Sequence, residues 1–157
     1  MAGIRMFQKL LPLNIDNAYR GQKFALWLFA LLLLLKSLVS LNSIFNGYLV
    51  AISADGIPLD TFTPAGARTV VSLFAILGLS RLMLCLLGML VLVRYRAIIP
   101  LMFVLFVLEN IGNRLILHLI PLATTGTPPA VTVNILLLTV MIVGLVLSLW
   151  SRRLSNP

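Results

Sequence analysis

The sequence predicts an all-α integral membrane protein: a four-transmembrane-helix antiparallel bundle with a short N-terminal interfacial helix and a small outer loop cap. Three observations predict it. Hydrophobic residues make up 61% of the 157 positions and charged residues 10%, whereas a soluble domain carries about 25% charged residues. Four apolar runs each have about the 20 residues that cross a hydrocarbon core of roughly 30 Å as a helix. The basic residues cluster at alternate ends of those runs, which is the pattern of a multi-pass chain. In lipid a backbone must satisfy its own hydrogen bonds, so each run is expected to be helical.

Residues 1–23 form a cytoplasmic N-terminal segment. Ile4, Phe7, Leu10 and Leu11 recur at near-helical spacing with Arg5, Gln8 and Lys9 between them. Such a stripe suits a helix lying in the headgroup zone, ended by Pro12. The transmembrane domain follows at 24–151. Its first helix is expected at about 24–46, too long for a signal-peptide core and read as retained.

The loop after it, "YLVAISADGIPLDTF", has a β-prone run, an Asp55-Gly56 turn signal and a second short run. That pattern favours a hairpin, since both turn residues tolerate positive φ. The second helix is expected at about 69–93. The link "VRYRA" has room only for a tight turn, which predicts that helices two and three are antiparallel neighbours. The third helix is expected at about 97–120. The loop "PLATTGTPPAV" is rich in Pro, Thr and Gly and should be irregular. The fourth helix is expected at about 131–150, followed by a basic cytoplasmic tail at 152–157.

The net charge is +8, but its placement argues against nucleic acid. Arg5, Lys9, Arg20 and Lys23 precede helix one, Arg94 and Arg96 lie between helices two and three, and Arg152 and Arg153 follow helix four. The other two loops hold only Arg68. This positive-inside bias places both termini in the cytoplasm of a bacterial-type inner membrane. Trp27, Tyr95 and Trp150 near the basic ends, and Tyr48 near the opposite end, suit the aromatic belts of the headgroup zones. The single cysteine, Cys85, excludes an intrachain disulfide and is expected to pack as a small apolar residue.

Polar groups inside the runs mark the candidate site. Lys36 interrupts helix one, Arg81 helix two, and Glu109 opens the stretch "ENIGNRLILH" of helix three, with Asn110, Asn113, Arg114 and His118. Lys36 is thirteen residues from Lys23, Arg81 thirteen from Arg94, and Glu109 thirteen from Arg96. All three therefore lie roughly 20 Å from the basic ends, near mid-membrane. One ion at that depth costs about 2.5–3.5 kcal/mol on insertion scales, so these side chains should face inward and pair. Lys36, Ser40, Ser43 and Gly47 share one face of helix one; Arg81 shares a face of helix two with Gly78, Cys85 and Gly88. Lys36, Arg81 and Arg114 outnumber Glu109, so a bound anion, water or a partner's acid should supply the balance. Arg114 and His118 can equally serve as interface residues near the outer boundary, and Asn110 and Asn113 as interhelical hydrogen-bond donors.

These residues point to a small non-enzymatic membrane protein, an accessory subunit or a bundle that binds lipid or a hydrophobic anion through Lys36, Arg81, Glu109, Asn110, Asn113, Arg114 and His118. Its partners would be membrane lipid, a larger membrane complex or a second copy, with no nucleic acid. A proton-coupled carrier is the alternative, with Glu109, Lys36 and His118 exchanging protons. An intramembrane enzyme or redox-associated subunit is a further one, although no nucleophile–base set, zinc pattern or phosphate loop can be drawn. The residues name no cofactor and no metal. The layout is similar to the small four-helix bacterial membrane proteins that include the DoxX-like family, and no motif in this chain carries a residue or an activity across.

Overall fold

The computed structural model describes Leu10, Asn17, Tyr19 and residues 21–150. The expected interfacial helix and the basic tail at 152–157 lie outside the described residues. Among those described there is no strand. Four helices are long and apolar enough to cross a membrane: α1 (Lys23–Phe45), α2 (Pro64–Arg94), α3 (Ile99–Leu119) and α4 (Pro129–Leu149).

The boundaries follow from local chemistry. Helix α2 starts five residues before the expected Thr69. Thr63 caps it, its hydroxyl accepting from the Gly66 N–H at 3.2 Å, and Pro64 occupies the first turn, where no N–H is needed. With 31 residues, α2 is about 46 Å long and exceeds a hydrocarbon core. The link to α3 is a 3-10 turn, Arg96–Ile98, after Tyr95 leaves helical geometry.

The segment between α1 and α2 corrects the hairpin expectation. It runs as a short α turn (Gly47–Leu49), a π-helical turn (Val50–Ala54) and a 3-10 turn (Leu59–Thr61). The Asp55-Gly56 turn signal is real, since Gly56 takes φ +67°, but its flanking runs coil instead of pairing. The reason is burial on one side only. Ala51, Ile57 and Leu59 sink against Ala67, Val70, Val71 and Phe74 of α2, and a compact turn delivers them there without leaving a strand edge unpaired. Gly56 also meets the loop between α3 and α4: its carbonyl accepts from the Thr125 N–H at 2.8 Å and the Thr125 hydroxyl at 3.1 Å. These two loops thus share one end of the molecule, called here the loop end. At the other end the Gln22 N–H donates to the Leu147 carbonyl at 3.3 Å and the Tyr19 hydroxyl to the Ser148 hydroxyl at 3.1 Å.

Packing follows the small residues. Helix α1 lies most extensively against α2, and α3 against α4; α1 also touches α4, while α2 and α3 meet only lightly. Helices two and three, expected as antiparallel neighbours from their tight link, touch at few points. The physical cause is visible at the glycines. A Cβ on Gly78 would stand 2.9 Å from the Ser40 carbonyl oxygen, and one on Gly88 2.5 Å from Leu33 Cδ2, so the bare faces of α2 press on α1. Gly144 likewise admits the Phe103 ring from α3. The core between them holds Phe29, Leu32, Leu33, Phe103, Phe106 and Met141. Phe29 meets Phe103 edge-on at 5.1 Å between centroids and Phe106 at 6.2 Å, which joins α1 to α3 through side chains.

Candidate functional site

Helix α1 presents Lys36, Ser40 and Ser43 on one buried face, continued by buried Gly47 in the turn after it, as their spacing predicts. Ser40 and Ser43 turn their hydroxyls back onto the carbonyls of Lys36 and Val39, at 2.7 and 3.1 Å. Their own donors are thereby satisfied within the helix, and only Lys36 reaches across. Its Nζ meets Glu109 Oε2 at 2.5 Å and lies 5.0 Å from the Phe106 ring centroid. The aromatic face and the carboxylate both favour a cation there.

Glu109 accepts a second cation. Arg81 Nε of α2 stands 3.3 Å from Oε1, so one carboxylate joins three helices. The two cations differ in surroundings. The Lys36 side chain is 10% exposed, that of Arg81 39%. Arg81 projects where α2 and α3 barely touch. Gly78, Cys85 and Gly88 on its stripe are buried, whereas Arg81 is partly exposed.

The remaining residues form a second group on α3. Asn110 is buried, and its Oδ1 accepts from Arg114 Nε at 3.1 Å, one turn along the same helix. Arg114 Nη2 is buried and makes no hydrogen bond among the described residues. Asn113 is half-buried and His118 exposed near the loop end of α3. The polar arc therefore divides. Lys36, Arg81 and Glu109 are brought together, Asn110 pairs with Arg114, and Asn113 and His118 join neither contact. Among the described residues no group of three or more His, Cys, Asp or Glu is placed to hold a metal. Cys85 is a buried free thiol against α1.

Asp55, in the turn after the π-helical segment, is half-buried; burial raises its carboxyl above the ordinary carboxylate range, and the positive charge of Arg81 draws it partly back. The chain holds four acidic residues, Asp16, Asp55, Asp60 and Glu109, and of these Glu109 lies within the cluster.

Fold and site together define a multi-pass helical membrane protein with an ionic cluster shared by three of its helices. No protein-family model, no curated protein and no solved structure matches the chain.

Proposed function

We propose that this chain is a non-enzymatic membrane protein that binds the anionic headgroup of a lipid or amphiphile in the opening between α2 and α3. A single observation carries the reading: Glu109 is engaged on both oxygens, by Lys36 and by Arg81, and Arg81 is 39% exposed where α2 and α3 diverge. One carboxylate against two cations leaves one formal positive charge. Hydrocarbon cannot solvate a guanidinium at that depth, so the exposed part of Arg81 requires water or an anion. Its planar fork suits the two oxygens of a phosphate or carboxylate.

In this reading the helices alternate in direction as an antiparallel bundle across a bacterial-type inner membrane, with both termini cytoplasmic. Residues 46–63 then cap the outer mouth of the opening. The concentration of Lys23, Arg94 and Arg96 at one end supports this orientation. Exposed Trp27 and Trp150 at the basic end suit its headgroup zone. Proton-coupled transport is the weaker reading, because both oxygens of its natural carrier, Glu109, are held by fixed cations.

The test is native mass spectrometry of the protein extracted in mild detergent. Wild type and Arg114→Gln are expected to retain an anionic lipid, and Arg81→Gln to lose it. Equal retention by Arg81→Gln would overturn the reading. Capture of a protein subunit in place of lipid, lost in the same variant, would reassign the opening to an acidic side chain of a larger complex.

A further inference from the structure

We infer that Arg114 is the centre of a second binding site, between the loop-end halves of α3 and α4, which takes the carboxylate of a long-chain fatty acid. The site stands apart from Arg81 and does not depend on the reading proposed for that residue. Glu109, which holds Arg81, and Arg114 are five residues apart on α3, about 140° around the helix.

Arg114 is on the side of α3 that meets α4. The Phe103 ring enters the space left by Gly144 of α4. Arg114 follows Phe103 by eleven residues, three helical turns to within about 20°. It therefore repeats the position of Phe103 about 16 Å nearer the loop end. The two helices no longer enclose one another there. The buried residues of α3 lie within 99–110 and those of α4 within 137–148, and none occurs in 111–119 or 129–136. Asn134 shows the parting most directly. It extends the buried stripe of Leu137 and Met141 at helical spacing and, ten residues before Gly144, stands at the level of Arg114, yet it is exposed. The opening thus has a guanidinium on one wall and an amide on the other.

Arg114 lacks a counter-charge among the described residues. Its Nε donates to Asn110 Oδ1 at 3.1 Å, one turn nearer the basic end. Its Nη2 is enclosed and makes no hydrogen bond to a described residue. Glu109, the acid of the same helix, is held by Lys36 and Arg81. A guanidinium cannot shed its charge, so partial enclosure of this one calls for an anion. Reaching outward to the headgroups does not relieve it. Side chains on a helix lean toward its N-terminus, which in α3 is the basic end, and the bond to Asn110 holds Arg114 in that direction. The guanidinium lies deeper than its own Cα, which is itself five residues, about 8 Å, below the end of α3 at Leu119.

Shape and surroundings select the ligand. A planar carboxylate matches the guanidinium fork, and on a single chain it is small enough for a guanidinium already covered at Nη2. Beside it Ile111 and Leu115 of α3 and Ile135 and Leu136 of α4 are exposed, an apolar wall for the chain. A phospholipid phosphate, flanked by glycerol and two chains, is the bulkier alternative.

The experiment titrates the full chain in detergent, stripped of co-purified lipid and kept at alkaline pH, with palmitate isotope-labelled at its carboxyl carbon, with hexadecanol and with a short-chain phosphatidylglycerol. Binding is read by native mass spectrometry, and the carboxyl environment by its NMR shift. Wild type and Arg81→Gln are expected to bind one palmitate with a shifted carboxyl signal. Arg114→Gln should bind it about tenfold more weakly or worse. Arg114→Lys, which keeps the charge without the fork and guards against a misfolded Arg114→Gln, should fall between the two. Asn134→Leu should weaken binding severalfold and leave the fold intact, since the side chain is exposed. Palmitate binding unchanged in Arg114→Gln, or hexadecanol bound as well as palmitate, overturns the site. Indifference to Asn134→Leu overturns its placement between α3 and α4. Phosphatidylglycerol that displaces palmitate at equal concentration, and depends on Arg114, overturns the fatty acid as the ligand in favour of a phospholipid.

Discussion

Lys36 of α1 and Glu109 of α3 meet at 2.5 Å, although 73 residues separate them in the chain and their helices make few backbone contacts. The contact is reached by two long side chains over the Phe29–Phe103–Phe106 cluster, with Lys36 Nζ above the Phe106 ring. An ion pair so enclosed depends on both partners being present.

Glu109→Gln should therefore destabilise the protein, because it strands the buried Lys36 ammonium. The expected loss is about 3–5 kcal/mol, and the Lys36→Gln, Glu109→Gln double variant should recover a large part of it. Arg81→Gln should cost clearly less than Lys36→Gln, since Arg81 is more exposed. Thermal unfolding in one detergent ranks the four variants. A double variant no better than Glu109→Gln would contradict the pairing.

Gly144→Ala should lower stability by about 1–3 kcal/mol, because the new methyl enters the space of the Phe103 ring. Gly112→Ala, where nothing stands within 4 Å, is the matched control and should be neutral or slightly stabilising. Equal unfolding temperatures for the two would refute the packing of α3 on α4.

Asp55 gives a pH dependence of definite sign. Its carboxyl is raised above the ordinary value of 3.8, burial outweighing the attraction of Arg81. The folded protein therefore holds the proton more tightly than the unfolded chain. That contribution to stability is complete below pH 3.8 and is lost as pH rises through the folded value. Asp55→Asn should raise the unfolding temperature at neutral pH, and the difference should vanish in acid. Urea or thermal melts across pH measure it; a gap that widens in acid would reverse the assignment.

Thr125→Val should loosen the junction between the two loops by removing the hydroxyl bond to the Gly56 carbonyl, about 0.5–1.5 kcal/mol. Gly56→Ala should cost a comparable 1–2 kcal/mol through its left-handed backbone. Hydrogen exchange should accelerate at 50–61 in both variants and stay unchanged in α1. Acceleration spread over the whole bundle would argue against a loop unit that opens separately from the helices.

Topology is checked by labelling. A single cysteine at position 60 should react with an impermeant maleimide added outside intact cells, and one at position 95 only after permeabilisation. The reverse pattern would invert the orientation.

Much of this was legible in the residues. The four spans follow from composition and run length, with ends misplaced by a few residues at most sites and by five at α2, where the Thr63–Pro64 start lies outside the apolar run. The shared level of Lys36, Arg81 and Glu109 followed from helical rise alone, because a helix converts residue number to axial position at a fixed rate. The buried faces of Lys36–Gly47 and Gly78–Gly88 followed from the same periodicity. Local geometry and the cost of charge in lipid are properties of short stretches of chain, and they can be read there.

The tertiary structure decided the rest. Periodicity says which face of a helix is buried but not which helix covers it, so the light contact of α2 with α3, and with it the exposure of Arg81, came only from how Gly78, Gly88 and Gly144 let their neighbours approach. Glu109 could have served Lys36 or Arg81; the convergence of three helices lets it serve both. The loop at 47–61 read as a hairpin because its β-prone residues were weighed without the α2 surface they bury against. Gly56 was legible as a turn residue and nothing more, since its bonds to Thr125, 69 residues further along the chain, depend on two distant loops meeting. Contacts between distant segments are set by shape complementarity over the whole molecule, which no single stretch of sequence encodes.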